Sequence, residues 1–444
     1  MPALVSKSFP QALRRCLIAI ALAAACLSCD AAVDFYSPDA SHLWNRLYTG
    51  LFVRTAGGVV FDDLMDAHFS RETQQFRSGE TNTAAIALLR EFVENRDALG
   101  QVTPLQRAVM QRDLIAMFQF VQNSTATPET GNLAGALVRA IRHVALTTDE
   151  LHKLPDNYAI AAGLPGTFTD FDEAEPGRAF LPKDLLADDG PWLALEPRHD
   201  RPLAAPAHFQ IFSDRSAFDL HFRHPGGRAA GEKYLDELAA FPNPFLDEKP
   251  KDAIEQERSV GAKGGWLNPQ TPQFPPGTMW ALVRRAILVD TQGNLVVSPL
   301  VESVEVRVYR ALADIATKPD AQTFFEWELS RRLLLGKGGF HLMEGRDLML
   351  SPFFGGAGTL ESYAKQKTSQ PLVCFACHSA PGVHSVNSRT LRFFSGDLDF
   401  EPKASPTRPA EFRATTRKRL AEVTERVATK QASWRQFRHL WDGR

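Results

Sequence analysis

Between Ser41 and Leu154 apolar side chains return every three or four positions. "HLWNRLYTGLFVRT", "NTAAIALLREFVENRDAL", "TPLQRAVMQRDLIAMFQFVQN" and "GNLAGALVRAIRHVAL" each lay a stripe along one face of a helix. Thr103-Pro104 and Gly131-Asn132 stand ahead of two of these stripes as helix starts, and "TTDELHKLPDNYA" adds a short helix stopped by Pro155. Periodicity fades over 161–204, where Pro, Gly and Asp accumulate, and loop is expected. Alternation follows. "HFQIFSDRSAFDLHFRHPGG" predicts a strand, a turn and a second strand ended by Pro225-Gly226-Gly227. "MWALVRRAILVDTQGNLVVSPLVESVEVRVYR" predicts two Val/Ile/Leu-rich strands joined at "DTQGN". "DAQTFFEWELSRRLLLGKG" predicts a return to helix, "GKGGFHLMEGRDLMLSPFFGGAG" a glycine-dense loop, and the stretch from Ser405 to Trp441 one long basic helix.

The expected class is α+β: an α-helical N-terminal domain over 40–160, a connection over 161–204, a β-rich unit over 205–312, and a mainly helical and loop C-terminal region over 320–444. Residues 1–29 are excluded from the fold. Lys7, Arg14 and Arg15, with no acid, precede the short apolar run "CLIAIALAAACLS", the pattern of an export signal. That run is too short to span a bilayer, which takes roughly 20 apolar residues. "LAAAC" and "CLSCD" both resemble a bacterial lipobox, though Ala23 or Cys26 stands where leucine is preferred; lipidation at Cys29, or at Cys26, and plain cleavage nearby both stay open.

Composition alters this picture little. A chain 44% hydrophobic and 23% charged is globular, and a net charge of −2 gives no electrostatic ground for a nucleic-acid partner. The cysteines say more. Cys16, Cys26 and Cys29 belong to the signal or its end, so Cys374 and Cys377 are left in the mature body, with no disulfide framework around them.

Cys374-Phe375-Ala376-Cys377-His378 is the C-x-x-C-H pattern of covalent haem attachment. Two thiols two residues apart can add to the two vinyl groups of one haem, and the next residue offers its imidazole to the iron. Three other readings are weaker: a thioredoxin-like pair lacks its βαβ setting, a zinc site needs two further ligands, for which His341 and His384 are candidates, but no second C-x-x-C or H-x-x-x-H completes it, and a disulfide leaves His378 unexplained. His221 and His224 would face opposite sides of a strand.

"CFACHSAPGVH" resembles the haem motif of the c-type cytochromes, with Pro381 where many of them support the proximal histidine. The resemblance covers about fifty residues around one motif. It implies one covalent haem c held by Cys374 and Cys377, with His378 as proximal iron ligand, and it fits export to the periplasm, electron transfer and a redox partner protein there. Small soluble members take a later methionine as sixth ligand, but none follows His378 here. Met343 and Met349 upstream are the leading candidates, with His341, His384, His439 or a vacant position as alternatives. A sixth protein ligand would make an electron carrier. An open position would make an oxidoreductase, peroxidase-like or similar to the P460 cytochromes, or a gas sensor. Arg346 and Asp347 stand near the motif as distal groups, Lys337 and Tyr363 as crosslinking groups, and Phe353 and Phe354 as a pocket lining.

Overall fold

The computed structural model describes residues 34–56, 59–63, 76, 78–95, 97–122, 126–164, 170–195, 215–241, 245–246, 266–268, 270–310, 322–336, 339–343, 383, 385 and 417–443. Among the described residues six helices come first: α1 (Leu43–Phe52), α2 (Gly79–Glu94), α3 (Pro104–Gln122), α4 (Pro128–Val144), α5 (Thr148–His152) and α6 (Asn157–Gly163), with a small hairpin of β1 (Arg54–Ala56) and β2 (Val59–Phe61) after the first. Helix α3 begins at the expected Thr103-Pro104, the Thr103 hydroxyl accepting from the Gln106 amide at 3.2 Å. Helix α4 starts one turn before Gly131-Asn132. Thr127 and Thr130 cap each other reciprocally ahead of Pro128, so a capping box outranks the glycine.

The remaining elements are β3 (Trp192–Ala194), β4 (Ser216–Arg223), α7 (Arg228–Ala240), β5 (Phe245–Leu246), β6 (Trp266–Leu267), β7 (Thr278–Val289), β8 (Leu295–Tyr309), β9 (Gln322–Leu329), α8 (Arg331–Gly336), β10 (Phe340–Leu342), α9 (Arg417–Ala428) and α10 (Ala432–Trp441). Six strands form one antiparallel sheet in the order β10-β9-β8-β7-β4-β3. The fold is α+β, as expected.

Four expectations are corrected. Residues 322–329 form strand β9, not helix: Phe325, Trp327 and Leu329 alternate with Phe324, Glu326 and Glu328, and the period of two pairs with β8. Helix α7 lies inside the stretch read as β-rich, where strands and loops were expected, its chain turned in by Gly227 at φ +86°. The connection over 161–204 contributes strand β3. The long C-terminal helix is two helices, because α9 lies against β4 and β8 while α10 lies against α4. The first strand expected in 208–227 falls outside the described residues, whereas the second is β4.

The two faces of the sheet differ. On the near face Ala217, Ala281, Val283, Val304, Val306, Val308 and Phe325 join the helices in one core. Helix α3 runs through that core with every side chain from Ala108 to Gln119 buried. Two amides rivet helix to strand: Gln111 both accepts from and donates to the Val289 peptide at 2.9 Å, and Asn157 does the same to Val301 at 2.8 and 3.0 Å. Each gives a strand peptide the partner that a neighbouring strand would have supplied.

A buried charged seam crosses the same region. Asp113 on α3 takes Arg331 at 3.0 Å, and Arg112 bonds Glu302. Glu302 also takes Arg284 at 3.1 Å and Ser216 at 2.7 Å, and Arg284 reaches Glu328 at 3.8 Å. Three guanidiniums and three carboxylates balance, which lets all six stay buried. Pairing slips at Arg284/Arg285, opposite Ser303 and Val301, so Glu302 is the extra residue of a bulge in β8.

Candidate functional site

Cys374, Cys377 and His378, together with Met349, Arg346, Asp347, Lys337, Tyr363, Phe353, Phe354, His384, Cys26 and Cys29, lie outside the described residues. The chain is described again just before and just after this stretch, and both sides come to the far face of the sheet.

On the upstream side, edge strand β10 pairs His341 with Glu328 and Leu342 with Trp327. The Met343 amide continues the ladder by donating to the Glu326 carbonyl at 2.9 Å. Phe340 and Leu342 pack into the near-face core, so by alternation His341 and Met343 belong to the far face. Met343 is buried there, and His341 is half-buried.

The downstream side returns at Val383 and Ser385. Val383 is buried in a second core with Phe222 of β4, Trp280 of β7, Tyr309 of β8, Phe274, and Tyr234 and Leu238 of α7. Its amide donates to the Gln273 side chain at 3.0 Å, and the Ser385 hydroxyl is hydrogen-bonded to the Tyr309 hydroxyl. The rings interlock: Phe222 and Trp280 have centroids 4.9 Å apart, Phe274 and Tyr309 4.8 Å. Burial, reinforced by Tyr309, raises the Tyr234 phenol far above its ordinary range, and its hydroxyl donates to the Pro272 carbonyl.

Arg307 borders this nest. It is two residues before Tyr309 on the same face, its Nη1 donates to the Tyr309 hydroxyl at 3.2 Å, and its guanidinium lies over the Phe324 ring at 5.3 Å. Only 7% of Arg307 is exposed. Among the described residues no carboxylate lies within 4 Å of it, whereas the equally buried Arg284, Arg285 and Arg331 each have one.

The other histidines are not gathered here. His221 lies on the near face of β4, buried, and His224 follows the end of that strand with its Nδ1 accepting from the Gly226 amide at 3.0 Å. Burial lowers the His224 imidazole below its ordinary value. His439 is exposed on α10, which packs with the helical layer. No group of three His, Cys, Asp or Glu side chains able to hold a metal, and no helix long and apolar enough to cross a membrane, occurs among the described residues.

Sequence reasoning missed the aromatic nest and Arg307. The available signal was the alternation in "VRVYR", which places Arg307 and Tyr309 opposite Val306 and Val308. Comparison with family models, with curated proteins and with solved structures returned no match.

Proposed function

We propose that the chain is an exported mono-haem c-type cytochrome that transfers electrons to and from a redox partner protein in the periplasm. Cys374-x-x-Cys377-His378 carries the reading. Two thiols and an imidazole in this order suit covalent haem c in a compartment outside the cytoplasm, and the basic, then apolar, N-terminal stretch supplies the route. Cys374 and Cys377 make the thioethers, and His378 is the proximal ligand. Met343, buried at the start of the haem-bearing stretch, and Met349 within it are the candidates for the sixth position. Haem bound in this way supplies a one-electron iron couple. Cys29 is the candidate for a lipid anchor that would hold the protein at the membrane.

The size of the chain favours a second reading. A carrier needs about a hundred residues, a typical domain, yet here 444 are present. An open sixth position would turn the same haem into a peroxidase-like or P460-like oxidoreductase, or into a gas sensor.

Optical spectra of the full chain, matured in a host that attaches haem c, separate these readings. Covalent haem that survives denaturation is expected, and its absence refutes the proposal. A low-spin spectrum with the weak near-infrared band of methionine ligation supports the carrier. A high-spin ferric spectrum shifted by cyanide replaces it with the second reading.

A further inference from the structure

We propose that the cleft between the β7–β8 turn and helices α9 and α10 binds a small zwitterion, an amino acid or short peptide with both termini free. Its ammonium pairs with Glu425 and Glu422, and its carboxylate with Arg435. No residue of the haem motif takes part, so the site stands or falls independently of the functional reading above.

The first observation is a walled, open space. Gly293, Asn294 and Leu295 form one side, α9 a second and α10 a third around a cavity of about 520 Å³. Small-molecule sites occupy roughly 300–1,000 Å³. The chain itself holds the walls in place. Arg438 on α10 donates to the Gln292 carbonyl at 2.7 Å, which ties the turn to that helix. Glu425 takes the Val297 amide at 3.0 Å, which ties α9 to β8. Half-buried Leu295 gives the cleft an apolar spot, and the buried Trp434 and Phe437 close it from behind.

The second observation is which charges around the cleft are already matched. Arg438 is matched, by Asp442 at 3.4 Å. Arg435 is not: it is exposed and donates to the Lys430 carbonyl, but among the described residues no acid lies within 4 Å of it. Glu425 commits Oε1 to the Val297 amide, and its Oε2 has no hydrogen-bond partner among the described residues. Glu422, one turn earlier on α9, has the exposed Lys418 at 3.9 Å and no closer cation. Burial, and to a lesser extent the charge of Glu422, raises the Glu425 carboxyl above its usual value, while the Val297 amide and His152 draw it down. An ammonium in the cleft relieves both carboxylates.

Lining of both signs selects the ligand. A simple anion would meet Glu422 and Glu425, and a simple cation would meet Arg426 and Arg435, so either alone is repelled by half of the cleft. A molecule with an ammonium at one end and a carboxylate at the other answers both halves, and an apolar side chain suits Leu295.

Calorimetric titration of the full chain with leucine and with leucyl-leucine tests the site. At least one should bind, and N-acetylation or C-amidation of that ligand should each weaken it roughly tenfold, the worth of one charged hydrogen bond. Glu425→Gln and Arg435→Gln should each weaken it by a similar factor. A merely structural role would not produce the crossed pattern expected next. Arg435→Gln should bind the free and amidated ligands alike while still preferring the free amine, and Glu425→Gln should bind the free and acetylated ligands alike while still preferring the free carboxylate. Both variants should fold, since Gln keeps an acceptor for the Val297 amide and Arg435 is exposed. No heat with either zwitterion, or equal affinity in wild type and both variants, overturns the proposal. Should a variant not accumulate, the capped ligands on the wild type decide: affinities equal to that of the free ligand overturn it.

Discussion

Arg331 shows what a buried charge requires. It is fully buried, donates to Asp113 and to the Asp63 carbonyl, and lies over the Tyr48 ring at 5.0 Å. Burial pulls its pKa down, but Asp113 more than offsets this and holds it above the ordinary value. Arg331→Leu leaves buried Asp113 with only its longer contact to Arg112 at 3.4 Å, a loss of up to about 3–5 kcal/mol. Asp113→Asn should cost a similar amount, and the double variant less than the sum, as read from urea denaturation of all three. Gly293, at φ +81° in the β7–β8 turn, is a second such residue. A Cβ there would stand 2.4 Å from Arg438 and 2.7 Å from the Trp441 indole nitrogen. Gly293→Ala is expected to cost at least about 1 kcal/mol from backbone strain alone, and to loosen α10, seen as a change in Trp441 emission. The sequence marked that glycine as a turn. It did not mark Gln111, Arg112 and Asp113 as buried, because polar residues within an amphipathic pattern read as the solvent side. Here the helix has no solvent side, and its polar groups serve strands and guanidiniums.

At the scale of elements, the strongest period won where neighbours agreed with it. Strands β7 and β8 were readable because a run of Val and Ile broken by "DTQGN" has few other solutions. "QTFFEWEL" is apolar at both two- and four-residue spacing, and only β8 beside it settles the choice. The break between α9 and α10 has no mark in the chain, since Leu420, Val423, Trp434 and Phe437 fall on one continuous helical stripe. Helix α9 also carries a test by pH. Glu425 accepts from the Val297 amide at 3.0 Å, yet burial raises its pKa above the usual carboxylate value. A raised folded pKa favours the protonated form, so the contribution of Glu425 is fully present below its unfolded pKa, about 4.3, and is lost as pH rises through the folded one. Glu425→Gln keeps the acceptor and removes the charge. The variant should match the wild type in acid and exceed it near neutrality by a few tenths to about 1 kcal/mol, given partial solvent screening. Thermal melts across that range check the sign. The amide rivets supply another test at this scale: Asn157→Leu strands the Val301 peptide and should cost about 1–3 kcal/mol.

At the scale of the molecule, one core spans the helical layer and the near face of the sheet. It is closed by contacts between residues hundreds of positions apart, such as Arg142 with the Trp441 carbonyl at 3.4 Å. Far-UV circular dichroism, which reports mainly helix, and tryptophan emission, which reports several elements, should therefore trace coincident urea transitions. Two separated transitions would mean that the layers unfold independently. The candidate site was readable only as a motif. Five consecutive residues carry the proposed thioethers and imidazole, whereas the aromatic nest is assembled from β4, β7, β8, α7 and the chain around Phe274. No local spacing links those segments.

The bulge at Glu302 has an electrical consequence. A β-sheet usually insulates its two sides, because every side chain commits to one of them. Glu302 does not: its carboxylate is shared by Arg112 from the helical layer and by Arg284, which also reaches Ser303 and Glu328 on the far face. The seam runs through the sheet from Arg331 to Glu328, so a charge that changes on one side polarises an unbroken row of ions reaching the other.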